Sequence, residues 1–428
     1  MPTLPLALAI FVLGYALIGA RPPQWMPIGR PMGAVLAAAL MVLGGVLTPD
    51  AALEAVDLNT LVLLWALLLL GVYLREARFF TWAADHFFPP ILSPGAVMGR
   101  LVWGSGLLSA VLLNDTVAIF GTPLVLHVCK RSGLPLFPYL MALATSANIG
   151  SALTLAGNPQ NIIVASASKL PFIDYLLLAA PVVAGALALN QWLLRLNYGP
   201  LLQVQSPTAH DAEASAMLDQ PSYLTPLRAR REVLAAISAM VLGWLAGIDL
   251  ALMAVVAVTG LIVWRRRDAG KALQQLDWGL LVFFTGLFIM MAGIHATGLT
   301  RALYERGFLD IAPAQLPGQL THFALVTLVG SNLFSNVPYV LAVAHNLPPV
   351  TELPAAVPLW VTLAITSTFA GNLTLLGSVA NLIVAEGARR EITIGFRQYL
   401  RFGVQTTVAS TAWALVVLAL EGWFLGWG

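Results

Sequence analysis

The sequence predicts an all-α, polytopic membrane protein. Of its 428 residues, 59% are hydrophobic and only 10% are charged, whereas an ordinary soluble domain carries about 25% charged residues. Apolar stretches long enough to cross the hydrocarbon core of a bilayer recur along the chain. A chain this poor in charge cannot cover a water-facing surface. That excludes a soluble enzyme, a nucleic-acid-binding module and a disordered protein.

Charge and motifs narrow the function further. The 22 basic and 20 acidic residues give a net charge of +2, so we expect no nucleic-acid partner. Cys129 is the single cysteine, which excludes an internal disulfide. The sequence contains no Walker motif, no His/Cys/Glu cluster at metal spacing and no nucleophile–base pair. We therefore expect no ATP drive, no cofactor and no enzymatic chemistry.

We predict ten spans and two interrupted segments. The interrupted segments, 93–128 and 316–346, break at Asn114-Asp115-Thr116 and at Ser335-Asn336-Val337-Pro338. Such a break leaves backbone groups without hydrogen bonds, which is tolerated only where they are buried in protein or line a water-filled cavity. Short arms favour re-entrant hairpins, and the alternative is two tightly turned pairs of short spans. The predicted spans are 4–20, 33–47, 58–74, 137–168, 172–194, 233–247, 250–264, 277–296, 357–385 and 402–425.

Lys and Arg placement orients the spans, because cytoplasmic loops are enriched in these residues. The acidic segment 48–57 has no Lys or Arg and is predicted to lie outside. The first hairpin then enters from the cytoplasm and the second from outside, and both termini are extracytoplasmic. Lys169, Arg301 and Arg306 are exceptions that fall outside. The predicted cytoplasmic clusters are 21–30, 75–100, 130–131, 228–231, 265–267 and 389–401.

Two segments of the chain repeat at an offset of 220 residues. Residues 153–165 are LTLAGNPQNIIVA and residues 373–385 are LTLLGSVANLIVA, with eight of thirteen positions identical. This predicts a first repeat at 1–196, a cytoplasmic linker at 197–231 and a second repeat at 232–428. Each repeat has five spans and one hairpin, so the two would have opposite orientations. Inverted repeats with discontinuous helices are typical of secondary transporters that bind substrate at the midplane.

Four polar interruptions are predicted to form one binding site. Glycine and proline weaken a helix, so we expect unwound backbone there, whose carbonyls can bind sodium. Helix N-termini can present amides to an anion. The candidate substrate- and ion-binding residues from this pattern are Asn114, Asp115, Thr116, Asn148, Gly150, Thr154, Asn158, Asn161, Ser335, Asn336, Thr374 and Asn381.

Asp115 is the one acid predicted at mid-membrane depth. A charge there is costly and usually functional, so we expect Asp115 to bind a cation or carry a proton. The alternative is a carboxylate that only caps backbone amides at the hairpin tip. Val337 stands at the corresponding place in the second half. The two cation sites are therefore not equivalent.

Four segments resemble the signature segments of the ion transporter superfamily. This superfamily includes citrate and dicarboxylate transporters, divalent anion/sodium symporters, arsenite efflux permeases and D-type sodium/proton antiporters. The chain is most similar to uncharacterised bacterial anion permeases of this group. The segments are LNDTVAIFGTPLVL (113–126), ANIGSALTLAGNPQNIIVA (147–165), SNLFSNVPYVLA (331–342) and GNLTLLGSVANLIVAEGAR (371–389).

The resemblance implies a scaffold domain and a transport domain, an elevator mechanism and a homodimer. In the sodium symporter branch, two Ser-Asn-Thr hairpin tips bind sodium and a carboxylate. Here Leu113, Asp115 and Val337 depart from that pattern. The departures argue against a dicarboxylate and favour a cation-coupled or proton-coupled variant with a different or smaller substrate. The sodium sites implied by the resemblance are Ser109, Asn114, Asp115 and Gly150 in the first half and Ser331, Asn336 and Ala370 in the second.

The sequence therefore predicts a secondary active transporter in the bacterial inner membrane. It would move a small inorganic or carboxylate anion, or an oxyanion, coupled to sodium or protons. A sodium/proton antiporter and an arsenite efflux permease are the alternatives within this class. A channel or a non-transporting receptor is the alternative from another class. A channel needs a continuous polar stripe, whereas the polar residues here are concentrated at the midplane interruptions.

Overall fold

The computed structural model describes residues 3–19, 29–202, 227–265, 269–302 and 316–425. Within these ranges the chain is helical and contains no strand, which confirms the all-α prediction. Residues 3–202 form α1 (Thr3–Gly19), α2 (Arg30–Leu43), α3 (Pro49–Glu54), α4 (Leu58–Glu76), α5 (Phe79–Phe87), α6 (Pro94–Val111), α7 (Asn114–Arg131), α8 (Leu136–Ser151), α9 (Pro159–Ser168) and α10 (Phe172–Leu202).

Residues 227–425 follow a similar order of helices. They form α11 (Leu227–Leu245), α12 (Leu250–Arg265), α13 (Ala269–Leu273), α14 (Trp278–Ala296), α15 (Leu316–Phe334), α16 (Asn336–Ala344), α17 (Val357–Ala370), α18 (Val379–Gly387) and α19 (Phe396–Leu425). Helices α11 to α14 follow the order of α1 to α4, and α15 to α19 follow the order of α6 to α10. At the 220-residue offset the counterpart of α5 is 299–307, of which residues 299–302 are helical and residues 303–307 lie outside the described residues.

Every predicted span coincides with one helix or with a pair of helices. Four helices, α4, α10, α14 and α19, are long and apolar enough to cross a membrane by length and composition. Three short helices, α3, α5 and α13, were not predicted. Helices α10 and α11 extend into both ends of the predicted 197–231 linker. Residues 203–226 of that linker lie outside the described residues.

Helices of the two halves pack against each other in exchanged pairs. Helix α2 packs against α14 while α4 packs against α12, and α7 packs against α18 while α9 packs against α16. Small residues permit the close approach: a Cβ on Gly286 would lie only 2.6 Å from the backbone carbon of Ala34. Close backbone contact through small residues is typical of membrane helices, where lipid removes the hydrophobic drive for association. The two halves are therefore interlocked.

Helices α6 and α7 form a hairpin whose two ends lie at one level. Arg100 donates from Nη1 to the Phe87 carbonyl at 2.7 Å, and Arg131 donates from Nη2 to the Phe88 carbonyl at 2.5 Å. The hairpin breaks at Leu112-Leu113, two residues before the predicted position, and Asn114 begins α7. Lys130 then forms a 2.6 Å ion pair with Glu391, just beyond α18.

The second hairpin, α15 and α16, breaks at Ser335 within the predicted tip. Ser335 has a φ of 62° and a ψ of 154°, a strained conformation for a residue with a side chain. The chain that follows α16 meets the end of α9, because Val350 donates its backbone N–H to the Ser168 carbonyl at 2.8 Å. The two hairpins thus end beside different helices, α18 for the first and α9 for the second.

The expectation that Gly150 marks unwound backbone is wrong. Gly150 lies inside α8, where it allows α8 to touch α6. A Cβ at this position would lie 2.1 Å from the Gly106 carbonyl oxygen, and backbone cannot yield as a flexible side chain can. The glycine is needed for helix packing, and its carbonyl already accepts the Leu153 N–H at 3.0 Å.

We expect Gly150→Ala to lower the melting temperature of the purified protein by several degrees. Overpacking of this kind costs about 1–3 kcal/mol, and more where backbone must move. The matched control is Gly104→Ala on α6, where an added Cβ meets nothing within 4 Å. Tryptophan fluorescence during heating in detergent measures both variants. Equal melting temperatures for the two would contradict the packing role of Gly150.

Candidate functional site

The site is built on two interrupted helices. The first interruption, 152–158, separates α8 from α9, and the second, 371–378, separates α17 from α18. Each following helix begins with a side-chain cap. Asn158 accepts the Asn161 N–H through Oδ1 at 2.9 Å, and Ser378 accepts the Ala380 N–H through Oγ at 3.3 Å.

Side-chain amides satisfy the carbonyls that the interruptions leave free. Asn161 donates from Nδ2 to the Thr154 carbonyl at 3.0 Å. At the corresponding place, Asn381 donates from Nδ2 to the carbonyls of Gly371 at 2.7 Å and Thr374 at 3.1 Å. Unpaired carbonyls in a bilayer cost several kcal/mol each. The two asparagines therefore make the interruptions tolerable without water.

Asn148 on α8 is the centre of the network. Its Nδ2 donates to Oδ1 of Asn372 and of Asn381, both at 2.9 Å. Its Oδ1 accepts from Asn114 Nδ2 and from Ser378 Oγ, both at 3.0 Å. One buried amide thereby joins the first hairpin tip to the second interruption.

Thr368 on α17 forms the reciprocal contact, 220 residues after Asn148. Its Oγ1 accepts from Asn158 Nδ2 at 3.1 Å and lies 3.3 Å from Asn161 Oδ1. These partners stand 220 residues before Ser378 and Asn381, the two partners of Asn148. Each half thus binds the other through equivalent positions. The side chain of Thr368 is shorter than that of Asn148. Gln160 also donates from Nε2 to the Thr368 hydroxyl, at 3.4 Å.

The first hairpin tip is docked on the first interruption. Asn114 donates its backbone N–H to the Gly157 carbonyl at 3.0 Å, and its Oδ1 accepts the Asp115 N–H at 3.0 Å. Thr154 donates from Oγ1 to the Ala110 carbonyl at 2.5 Å. Ser109 is fully buried nearby, and its Oγ has no hydrogen-bond partner among the described residues.

Asp115 is half-buried in the first turn of α7. Helix α7 has Leu113 as its N-cap and no side-chain cap, so the structure does not support the capping alternative. Thr116 beside Asp115 points elsewhere: its Cγ2 would lie 2.9 Å from a Cβ on Gly71 of α4.

The second hairpin tip leaves three buried oxygens without a donor. Ser331 Oγ, Asn332 Oδ1 and Asn336 Oδ1 have no hydrogen-bond partner in the described part of the chain. Asn332 is anchored beside the second interruption because its Nδ2 donates to the Ala370 carbonyl at 3.1 Å. The Tyr15 hydroxyl of α1 donates to the Phe334 carbonyl next to the tip.

These oxygens suit a hard monovalent cation. Hydroxyl, amide and carbonyl oxygens at discontinuous helices are the ligands that transporters use for sodium. A transition-metal site has no basis in the described ranges, where no group of three or more His, Cys, Asp or Glu side chains could hold an ion. Ser331 and Asn336 belong to the predicted second sodium site. Asn332 is an additional ligand candidate.

The structure joins seven of the predicted residues in one hydrogen-bonded set. The hydrogen-bonded set contains Asn114, Asn148, Thr154, Asn158, Asn161, Thr374 and Asn381. Gly150, Thr116 and the exposed Ser335 lie outside it. Sequence reasoning did not select Gln160, Asn332, Thr368, Asn372 and Ser378. The 220-residue offset is a signal that could have found two of them, because it pairs Thr368 with Asn148 and Ser378 with Asn158.

Comparison with known proteins shows a transporter family. The family model CitMHS, described as citrate transporter, matches residues 15–366. A silicon efflux transporter of Oryza sativa subsp. japonica, LSI3, is 32% identical over 91% of this chain and 92% of its own length. A putative transporter arsB of Dictyostelium discoideum is 27% identical over 93% of this chain and 88% of its own length.

A solved transporter structure has a similar fold. The crystal structure of the Alcanivorax borkumensis YdaH transporter matches 99% of this chain, and the match covers 96% of the YdaH chain. The TM-score is 0.53 and the sequence identity 16%. At this identity the likeness concerns the fold, which it extends over nearly the whole chain.

We expect Asn148→Ala to destabilise the protein, because the change leaves several buried partners unpaired. Each unsatisfied buried group costs about 1–3 kcal/mol, so the melting temperature should fall by many degrees. Asn346→Ala is the matched control, since the side chain of Asn346, two residues beyond α16, bonds only the Ala342 carbonyl among the described residues. Thermal unfolding in detergent compares the two. A fall no larger than that of the control would show that Asn148 is not the centre of the network.

Proposed function

This chain belongs to the CitMHS citrate transporter family, and we propose that it is a secondary active transporter that moves a small anion or oxyanion across the membrane, coupled to sodium or protons. The family and the structural relative are transporters, not enzymes. The observation that carries the proposal is the buried network in which neutral amides and hydroxyls join both interrupted helices. Such a network suits a site that must bind and then release its ligand.

The chemistry of the network favours a small oxyanion or its neutral oxyacid over a multiply charged carboxylate. The network around Asn148 and Thr368 consists of Asn, Gln, Ser and Thr side chains and backbone groups. It contains no fixed positive charge to balance two or three carboxylates. Amides and hydroxyls instead match the hydroxyl groups of a small oxyacid. One relative is a silicon efflux transporter and another is named arsB, which agrees with this class.

The Ala370 carbonyl of the predicted site already accepts the Leu373 N–H at 3.0 Å and Asn332 Nδ2 at 3.1 Å. We assign the cation of the second half-site to Ser331, Asn332 and Asn336. Their unpartnered buried oxygens support this assignment, because such atoms are costly unless a ligand completes them. In the first half, Asn114 already has partners for both ends of its amide. Ser109 Oγ is the unpartnered atom there. The second half-site therefore offers more unpartnered oxygen atoms to a cation than the first half-site does.

Asp115 is the proposed coupling residue. Its carboxylate is half-buried beside the first tip and is not used as a helix cap. An acid at this depth can exchange a proton or a cation as the surroundings change. If Asp115 exchanged the two cations without an anion, the protein would be a sodium/proton antiporter, which is the alternative outcome of the transport experiment.

The proposed architecture is a pair of inverted repeats with an elevator-type transport domain. The recurring helix order, the exchanged packing and the contacts at the two hairpin ends support the inverted orientation. We also propose that the protein forms a homodimer and lies in a bacterial inner membrane.

We expect Asp115→Asn to abolish transport driven by a sodium or proton gradient in proteoliposomes. The assay imposes one gradient, follows internal pH, and adds citrate, succinate, sulfate, phosphate, arsenite or silicic acid one at a time. Asp174→Asn, an exposed acid at the start of α10, is the control and should transport normally. Full activity of Asp115→Asn would remove the residue from coupling. Sodium-driven proton movement with no anion present would identify an antiporter.

We expect sodium to raise the melting temperature of the wild-type protein and not that of Asn336→Ala. At a sodium concentration of 100 times its Kd, the bound ion stabilises the fold by about 2.7 kcal/mol. Potassium at the same ionic strength is the salt control, and Asn346→Ala on the same hairpin arm is the variant control. An unchanged sodium response in Asn336→Ala would exclude the second tip from the cation site.

A further inference from the structure

A groove lies at the cytoplasmic end of α11 and α12. Its lining residues have no part in the proposed substrate and cation sites. The groove has a volume of about 1040 Å³ and lies between the first turns of α11 and the last turns of α12. Val255, Val256, Gly260, Val263 and Trp264 form its apolar wall. Gly260 opens the groove, because a Cβ there would meet nothing within 4 Å.

Charged groups stand at one end of this apolar wall. The Arg228 side chain is 85% exposed and bonds Glu232 through Nε at 2.9 Å, which leaves its other two nitrogens free to face outward. Arg265 is the second guanidinium on the rim, only 3% exposed, and lies 3.7 Å from both Glu76 and Glu232. Its Nη1 lacks a hydrogen-bond partner among the described residues.

We propose that this groove binds one anionic phospholipid. The phosphate would contact Arg228 and Arg265, while an acyl chain would lie along Val256, Gly260 and Val263. Glu76 and Glu232 balance the two arginine charges, and the donors left for an anionic headgroup are the outward nitrogens of Arg228 and the unpartnered Nη1 of Arg265. Trp264, 70% exposed at the same level, suits the interface between headgroups and acyl chains. A basic residue exposed at the cytoplasmic surface attracts an anionic lipid by about fivefold, and Arg228 is the exposed one of these two arginines.

Trp264 makes the proposal measurable in the full-length protein. Reconstituted protein is titrated with brominated phosphatidylglycerol or brominated phosphatidylcholine, whose bromines quench tryptophans that they touch. The contribution of Trp264 is the difference between wild type and Trp264→Phe. We expect phosphatidylglycerol to reach half-maximal quenching of Trp264 at about a fivefold lower mole fraction than phosphatidylcholine.

Two variants separate the headgroup from the groove. Arg228→Gln should remove the preference for phosphatidylglycerol while leaving quenching by both lipids. Gly260→Leu should fill the groove and reduce quenching by both lipids, whereas Gly104→Leu, an equally open glycine on α6, should change neither. Equal titrations of wild type by the two lipids would overturn the proposal and leave ordinary annular lipid. Protection of Trp264 from both lipids would instead indicate that a second copy of the chain covers the groove.

Discussion

The structure depends on one constraint: a helix interrupted inside a bilayer must have its freed backbone groups satisfied by protein. Asn161 and Asn381 meet this constraint by donating their side-chain amides to the carbonyls of the two interruptions. The oxygen of each amide remains available, and it bonds residues of the opposite half: Asn381 Oδ1 accepts from Asn148, and Asn161 Oδ1 lies beside the Thr368 hydroxyl. The same residue type therefore stabilises an interruption and joins the two halves. Without these amides each freed carbonyl would cost several kcal/mol in an apolar medium.

The two halves share this plan but differ where binding is expected. Asn148 and Thr368 occupy equivalent positions. The longer side chain of Asn148 bonds four partners, whereas the hydroxyl of Thr368 accepts an additional contact from Gln160. At the tips, Asn114 is saturated whereas Asn336 keeps an unpartnered buried oxygen. Asp115 has Val337 as its counterpart. The two halves thus differ in their binding groups: the acid Asp115 lies beside the first tip, and neutral unpartnered oxygens lie at the second tip.

The fold could largely be predicted from the sequence, because apolar length and polar interruptions are local properties. Every span and both hairpins coincide with helices, and the second tip breaks at Ser335 within the predicted segment. The first tip breaks at Leu112-Leu113 because Asn114 pairs with Gly157 through its backbone, a contact between segments 43 residues apart in sequence. Gly150 was misjudged for a similar reason. A glycine that weakens a helix and a glycine that admits a neighbouring helix look the same until Gly106 is known to lie against it.

The candidate site could be predicted by residue type but not by partner. Asn148 was selected as one polar residue among several, and its central position depends on which side chains of the second half reach it. The internal repeat supplies part of that missing information, because positions 220 residues apart play equivalent roles and each half binds the other reciprocally. A repeat therefore predicts more than duplicated helices. Once one residue of a pair is known to bind across the interface, its counterpart is expected to bind back. A departure between the two, such as Asn148 and Thr368, indicates where a symmetric scaffold has become specialised for an asymmetric ligand.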